Sequence, residues 1–151
     1  MSPPVWRGRP LALVVDDSRA SRSALRRILT NVGFEVLEAE HGGHALTLLH
    51  AEGAIELVLV DWHMPVMDGI ALIQAIRKES RWALLPIVMV SAEVDQKRIA
   101  RAVLAGADEY VMKPFDGPML IGKLRLLGIA LPVDSEAGLR LRLQRIFIRP
   151  I

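Results

Sequence analysis

The chain has 151 residues, of which 52% are hydrophobic and 24% charged, with a formal net charge of +2 and no cysteine. This length predicts about one globular domain, and the absence of cysteine excludes disulfides and thiolate metal sites. The sequence has neither the apolar core of a signal peptide nor a run long enough for a membrane span, so we expect a cytoplasmic protein. Residues 11–128 carry slightly more acidic than basic side chains, which argues against a nucleic-acid-binding face.

The distribution of proline and arginine divides the chain into three predicted regions. Residues 1–10 contain three prolines and two arginines, which predicts a flexible basic arm. Residues 11–128 alternate apolar runs with amphipathic stretches and are predicted to form the domain. Residues 129–151 form a basic C-terminal extension in which apolar and basic residues alternate from Leu139 to Arg149. This pattern fits a strand or one face of a helix, and the extension is either a flexible tail or a docking or dimerisation segment.

Short apolar runs alternate with helical patterns along the domain. Strands are predicted at residues 11–15, 34–37, 57–60, 87–90 and 110–112. Helices are predicted from the capping residue Ser18 to the stop at Gly33, through 45–49, through 70–76, from 93 to 105 and from 117 to 127. The polar residues 38–43 predict a turn, and Ile99 and Val103 are spaced to point inward from the fourth helix.

This alternation of strand and helix, repeated five times without a hairpin signal, predicts the fold class. Right-handed crossovers between such units give a parallel sheet with helices on both faces. We therefore predict an α/β, doubly wound (βα)5 three-layer sandwich of the flavodoxin-like type, with the five strands in the order 2-1-3-4-5.

Four of the predicted strands end on side chains that can carry chemistry. Asp16 and Asp17 follow the first strand, Asp61 the third, Ser91 the fourth and Lys113 the fifth. The predicted order places the first and third strands side by side, so their three carboxylates should converge. A single Asp after a strand is most often a turn or helix-cap residue. Five such groups at four strand ends favour a shared site.

Converging carboxylates repel one another and require a cation or a proton. Their hard oxygen atoms suit Mg²⁺, with Mn²⁺ as a substitute, and a bound ion leaves positions open for phosphate oxygens. Lys113 could supply a point charge and Ser91 a hydroxyl to further phosphate oxygens. These groups predict phosphoryl transfer, with Asp61 as the nucleophile that accepts the group.

Four motifs in the domain resemble those of one protein family. They are Val14-Val15-Asp16-Asp17-Ser18, the stretch from Val60 to Gly69 that reads Val-Asp-Trp-His-Met-Pro-Val-Met-Asp-Gly, Ser91-Ala92, and the stretch from Gly106 to Phe115. In this order and spacing they resemble the receiver domain of two-component response regulators, over residues 11 to about 128. The sequence around Asp61 is most similar to that of the chemotaxis-type receivers.

The resemblance implies a role for each matching residue. Asp61 would accept a phosphoryl group from a histidine kinase phosphohistidine or a small phosphodonor. Asp17 and Asp61 would bind Mg²⁺ directly, together with the backbone carbonyl of His63, and Asp16 would act mostly through a metal-bound water. Lys113, which in the family often precedes a cis proline, would contact the phosphoryl group.

The resemblance also implies a switch and a means of ending the signal. Ser91 and Tyr110 would be the switch pair that alters the surface of the fourth helix, fifth strand and fifth helix. His63 stands where chemotaxis-type receivers usually carry Asn. The side chains of His63 and Glu93 would border the water that attacks the acyl phosphate, and would thus tune its hydrolysis.

The implied function is a stand-alone, phosphorylation-controlled binding protein in two-component signalling. It would not be an enzyme beyond self-catalysed phosphoryl transfer to Asp61 and autodephosphorylation. Its partners would be a histidine kinase or histidine phosphotransfer protein and a downstream protein target, and it would be a monomer or weak dimer. One alternative is a phosphorelay intermediate that passes phosphate to a histidine phosphotransfer protein. A second is a haloacid dehalogenase-type phosphatase, but that family places Asp where this chain has His63.

Overall fold

The structure is a computed structural model that describes residues 9–134 together with 140, 143 and 144. Its strands are β1 (Leu11–Val15), β2 (Glu35–Ala39), β3 (Ile55–Val60), β4 (Ile87–Ser91) and β5 (Glu109–Met112). Its main helices are α1 (Arg19–Asn31), α2 (Gly42–Ala51), α3 (Gly69–Arg77), α4 (Gln96–Ala105) and α5 (Gly117–Leu126). Short 3-10 turns cover Ser80–Trp82 and Pro132–Asp134.

The five strands form one parallel sheet in the order β2-β1-β3-β4-β5, which confirms the predicted fold and strand order. Helices cover both faces, so alternate residues of a central strand enter two different cores. In β1, Leu13 and Val15 pack with residues of α2, α3 and α4, while Ala12 and Val14 pack with residues of α1 and α5. Burial on both faces explains why the sequence of this strand is continuously apolar.

The predicted turn at residues 38–43 is wrong. Glu38 and Ala39 belong to β2, which pairs with β1 as far as Ala39 opposite Val15. Gly42 already belongs to α2, whose start is capped by the His41 ring as it accepts the His44 N–H at 3.1 Å. β2 lies at the edge of the sheet, where polar side chains can stay partly exposed. Its polar sequence therefore does not prevent it from pairing with β1.

The fourth helix also differs from its prediction. It starts at Gln96 instead of residue 93, because the Asp95 carboxylate accepts the Lys97 N–H at 2.8 Å and caps the helix there. Val103 is 55% exposed, so its predicted inward orientation is wrong. Ala102 is the buried residue, one helical turn after the half-buried Ile99. Ala102 packs in the same core as Leu13 and Val15 of β1.

Residues just beyond α5 pack back onto the domain. Leu131 is buried, the Val133 N–H donates to the Val32 carbonyl at 3.2 Å, and Arg125 pairs with Asp134 at 3.0 Å. The predicted boundary at residue 128 stays a prediction, as does the arm at 1–10, most of which lies outside the described residues. In the extension beyond 134, only residues 140, 143 and 144 are described, and they are helical. Within the described residues, no helix is long and apolar enough to cross a membrane.

The Arg77 side chain joins two connecting segments to the end of α3. Its guanidinium donates to the carbonyl of Gly106 at 2.8 Å and to that of Trp82 at 2.8 Å, and it pairs with Asp108 at 2.9 Å. The same Asp108 carboxylate accepts the N–H of Ile87 at 2.8 Å, at the start of β4. Arg77 therefore links the end of α3 to the turns before β4 and β5.

Replacing Arg77 with Ala is expected to lower the free energy of unfolding by about 2–4 kcal/mol, because partly buried carbonyl and carboxylate groups lose a charged donor. Urea denaturation measures this change. Lys78→Ala removes an exposed charge at the neighbouring position and is the control, with an expected loss of under about 0.5 kcal/mol. Equal effects of the two substitutions would contradict this account of Arg77.

Candidate functional site

The register of the sheet brings the predicted site residues to one edge. Val15 of β1 lies opposite Val60 of β3, so the residues that follow them, Asp16 and Asp61, leave the sheet side by side. The Asp61 N–H donates to the Val15 carbonyl at 2.9 Å, which continues the ladder by one residue and fixes the Asp61 backbone. Ser91 ends β4 and Lys113 follows β5 at the same edge of the sheet.

Three carboxylates meet at this edge. Asp16, Asp17 and Asp61 each offer one oxygen, and these oxygens all lie within 4.8 Å of one another. Asp16 is fully buried and Asp61 is 8% exposed, whereas Asp17 faces solvent. Burial raises the pKa of Asp61 above its ordinary value, and the nearby charge of Asp16 raises it further. The cluster is therefore short of positive charge.

Lys113 supplies the nearest cation. Its Nζ lies 2.9 Å from Asp16 Oδ2 and 3.7 Å from Asp61 Oδ2, and this positive charge lowers the pKa of Asp61, in opposition to burial. The Lys113 N–H donates to the Ser91 carbonyl at 2.9 Å, and its peptide bond to Pro114 is cis. One ammonium faces three carboxylates, so it offsets the negative charge only in part.

Two residues of α1 complete the support of the acidic cluster, and the sequence analysis did not include them. Ser21 Oγ accepts from Lys113 Nζ at 3.3 Å, and the Arg22 guanidinium donates to the backbone carbonyl of Asp16 at 2.7 Å. Arg22 is 8% exposed, which is unusual for Arg. Arg22 follows the predicted cap Ser18 by four residues, so the two lie on the same face of α1. This spacing is the one feature of the sequence that indicates an orientation of Arg22 toward the end of β1.

The loop after Asp61 is held close to the strand end. The Gly69 N–H donates to the Trp62 carbonyl at 2.8 Å, and a side chain at Gly69 would collide with the backbone carbonyl of Asp61. Only glycine fits this close approach. Asp68 accepts the Ala71 N–H at 2.8 Å and starts α3 there. The Asp-Gly pair of the motif thus fixes the loop that borders Asp61.

Tyr110 and Ser91 lie beneath the loop that joins β4 to α4. The Tyr110 hydroxyl donates to the Glu93 carbonyl at 2.8 Å, and the Glu93 N–H lies 3.3 Å from Ser91 Oγ, which accepts from it. Tyr110 is 7% exposed, and burial raises the pKa of its hydroxyl, so the group keeps its proton and donates. Ser91 is fully buried. Both residues of the predicted switch pair therefore contact the backbone of one residue, Glu93.

His63 and Glu93 approach each other across the site. His63 Nε2 lies 2.7 Å from Glu93 Oε1, and the same oxygen accepts from Arg98 Nη1 at 3.1 Å. Arg98 belongs to α4 and was not predicted to take part. An ionised carboxylate only accepts hydrogen bonds, so a neutral His63 ring donates from Nε2 and leaves Nδ1 as an acceptor.

The donor set suits a hard divalent cation. All three clustered ligands are carboxylates, and no cysteine is present in the chain. Oxygen ligands of this kind match Mg²⁺ or Mn²⁺ better than softer metals. A nucleophilic carboxylate, an ammonium and a hydroxyl at the same sheet edge can together receive and neutralise a phosphoryl group. Every residue that was predicted for the site lies at or beside this edge.

The chain is similar to chemotaxis proteins along most of its length. The response regulator receiver domain model matches residues 12–125. Chemotaxis protein CheY1 of Helicobacter pylori is 38% identical over 116 residues, which cover 76% of this chain and 94% of that protein. A chemotaxis protein CheY homologue of Campylobacter jejuni is 39% identical over 113 residues, which cover 74% and 87% of the two chains.

Solved structures agree with this similarity. The structure of Vibrio cholerae chemotaxis protein CheY4 superposes with a TM-score of 0.73 at 28% identity, covering 82% of this chain and all of that one. A response regulator receiver protein from Pseudomonas putida gives a TM-score of 0.72 at 32% identity, with 79% and 98% covered. The chain therefore belongs to the response regulator receiver domain family of two-component signalling proteins.

Proposed function

We propose that the protein is a phosphorylation-controlled switch in which Asp61 accepts a phosphoryl group from a histidine kinase, a histidine phosphotransfer protein or a small phosphodonor. The observation that carries this proposal is the position of the Asp61 carboxylate. It lies at a strand end, within 4.8 Å of oxygens of two further carboxylates and 3.7 Å from the Lys113 ammonium. An aspartate with a purely structural role seldom has both further carboxylates and an ammonium around it. A carboxylate that accepts a phosphoryl group needs both kinds of neighbour.

The transfer uses residues of this chain in defined roles. An Asp61 carboxylate oxygen attacks the phosphorus, the bond from phosphorus to the donor nitrogen or oxygen breaks, and the leaving group takes the electron pair. The Lys113 ammonium lies beside the carboxylate and neutralises charge on one phosphoryl oxygen. The Ser91 hydroxyl donates to another. The product is an acyl phosphate on Asp61.

A divalent cation fits the acidic cluster. Asp17, Asp61 and the backbone carbonyl of His63 would hold Mg²⁺, which when bound supplies charge to offset that of the phosphoryl oxygens. Both oxygens of Asp16 already have partners: Oδ1 accepts the Ser18 N–H at 2.8 Å, and Oδ2 faces Lys113 at 2.9 Å. This arrangement supports a role for Asp16 through a metal-bound water.

The switch follows from the contacts of Glu93. A phosphoryl group on Asp61 would draw the Ser91 hydroxyl toward it and away from the Glu93 N–H. The loop that carries Glu93 also receives the Tyr110 hydroxyl and leads directly into α4. Movement of this loop would alter the face formed by α4, β5 and α5, where a downstream protein would bind. Val103, Leu104, Met112 and Met119 are exposed large apolar residues on these elements.

The sequence leaves two other functions open. The dehalogenase-type phosphatase has less support, because the position of its acid is occupied by His63, whose ring is paired with Glu93 at 2.7 Å. A phosphorelay intermediate uses the same site chemistry as the switch. Transfer of phosphate from Asp61 to a histidine phosphotransfer protein would identify it.

Phosphorylation of Asp61 is tested by intact mass after incubation with acetyl phosphate. The wild type is expected to gain one phosphate in Mg²⁺ and none in excess chelator, and Asp61→Asn is expected to gain none. Glu56→Gln removes an exposed carboxylate from the other end of β3 and should behave like the wild type. A Mg²⁺-dependent gain in Asp61→Asn would contradict the assignment of Asp61.

Lys113→Ala separates metal binding from phosphoryl transfer. Lys113 Nζ lies 3.7 Å from Asp61 Oδ2, so removing its charge should strengthen Mg²⁺ binding by about 1–2 kcal/mol, or about five- to thirtyfold, since the divalent cation loses a competitor for the carboxylates. The same substitution should slow the phosphate gain, because the phosphoryl oxygens lose a counter-charge. Calorimetric Mg²⁺ titration and intact mass measure the two effects.

Lys123→Ala is the matched control for this prediction, because Lys123 pairs with Glu109 at 3.1 Å, away from the acidic cluster. We expect it to change neither quantity. Weaker Mg²⁺ binding in Lys113→Ala would show that Lys113 does not compete with the metal.

His63→Asn is expected to slow the decay of phosphorylated Asp61 by about threefold or more, because the shorter side chain loses the Nε2 contact to Glu93 at 2.7 Å that holds an acceptor beside the attacking water. The decay is followed by intact mass after the phosphodonor is removed. His44→Asn changes an exposed histidine of α2 and serves as control. An unaltered or faster decay in His63→Asn would count against a role in hydrolysis.

A further inference from the structure

Glu93 is the point at which three elements of the structure meet. Its Oε1 is 2.7 Å from His63 Nε2 of the loop before α3, and 3.1 Å from Arg98 Nη1 of α4. Its carbonyl accepts from the Tyr110 hydroxyl of β5 at 2.8 Å. The proposed function uses the contacts of Glu93 with Tyr110 and with His63, and it gives Arg98 no role.

We propose that Arg98 is a positioning residue, which holds Glu93 against His63 and thereby couples the position of α4 to the lifetime of phosphorylated Asp61. This inference rests on the proposed phosphorylation of Asp61. Arg98 contacts neither Asp61 nor the acidic cluster within the described residues, so it acts through Glu93.

The orientation of the His63 ring depends on Glu93. His63 is more than half exposed, and the carboxylate is the only side-chain hydrogen-bond partner of its ring among the described residues. Glu93 is itself held by two side chains, those of His63 and Arg98, and only Arg98 belongs to a helix. Without Arg98, the carboxylate would be tied to His63 alone, and both side chains could turn together toward solvent.

A second contact supports the link between α4 and this loop. Arg101 lies one helical turn after Arg98, and its guanidinium carbon is 5.7 Å from the centre of the Trp62 ring. The two arginines therefore reach the two residues that directly follow Asp61, one through Glu93 and one through an aromatic ring. Lys97 lies in the first turn of α4, next to Arg98. Among the described residues, its side chain contacts neither Glu93 nor an aromatic ring, and only its backbone N–H is bonded, to Asp95.

A partner that binds α4 could reach the same contacts, because the Arg98 side chain is nearly half exposed. A partner that binds α4 with a carboxylate could take Arg98 from Glu93 and would loosen His63. The phosphorylated state would then last longer while the partner is bound. This predicts a partner with an acidic side chain opposite the start of α4.

The test compares the decay of phosphorylated Asp61 in Arg98→Ala, Arg98→Lys and Lys97→Ala. All three proteins are loaded with acetyl phosphate and Mg²⁺, the donor is removed, and decay is followed by intact mass. We expect Arg98→Ala to decay about two- to fivefold more slowly, the size of effect that an exposed ion pair supports. Arg98→Lys should restore most of the rate, and Lys97→Ala should match the wild type.

The path through Glu93 is tested by adding Arg98→Ala to Glu93→Gln. If Arg98 acts through the Glu93 carboxylate, the second substitution should add little to the first. Full, independent slowing in the double variant would overturn the proposal, and so would equal decay in Arg98→Ala and the wild type. In both cases the initial phosphate gain would still support Asp61 as the acceptor.

A measurement without phosphate keeps the inference separate from the proposed function. Long-range proton–nitrogen NMR spectra, recorded where the ring is neutral, report which nitrogen of His63 carries the proton. The Nε2–H form should dominate in the wild type and in Lys97→Ala, and Arg98→Ala should show a mixture. An unchanged tautomer in Arg98→Ala would overturn the positioning role, whereas a missing phosphate gain in the wild type would overturn the proposed function.

Discussion

Repulsion between carboxylates at one edge of the sheet is the constraint on which the rest of this structure depends. The strand order makes Asp16 and Asp61 neighbours, and burial of both keeps water from screening their charges. Among the described residues, one ammonium, that of Lys113, pairs with them, at 2.9 Å and 3.7 Å. The site therefore holds an unbalanced negative charge, which favours the binding of a cation. A bound cation would in turn favour the binding of an anion beside it.

Much of the surrounding structure fixes the backbone that carries these charges. Ser18 donates its N–H to one oxygen of Asp16 at 2.8 Å, and Arg22 donates to the Asp16 carbonyl at 2.7 Å. Arg22 also pairs with Glu38 of β2 at 3.3 Å, so the start of α1 is tied to the sheet edge. These contacts keep the carboxylates together in spite of their repulsion. The apolar packing of the two cores offsets the unfavourable free energy of that repulsion.

The sequence predicts the strands from short-range patterns, and the strand order and the acidic edge follow from the usual topology of a doubly wound sheet. Apolar runs of three to five residues identify buried strands, and the acids follow two of them directly. The pattern fails at β2, where Glu38 is part of an edge strand that is only partly covered. It also misses Arg98 and Arg22, since an arginine on a helix looks solvated until its distant partner is known. Contacts between residues far apart in the chain leave no local signal.

The attachment of α4 explains why a switch can work through such weak contacts. This helix buries one residue, Ala102, whereas α3 buries five. Shifting α4 therefore exposes little apolar surface, and the free energy of the shift is set by a few polar contacts, among them those of Glu93 with Arg98 and Tyr110. Exposed ion pairs contribute about 0.2–1 kcal/mol each. Contacts of this size would bias two positions of a helix without locking either, which fits the proposed control of α4 by a phosphoryl group on Asp61.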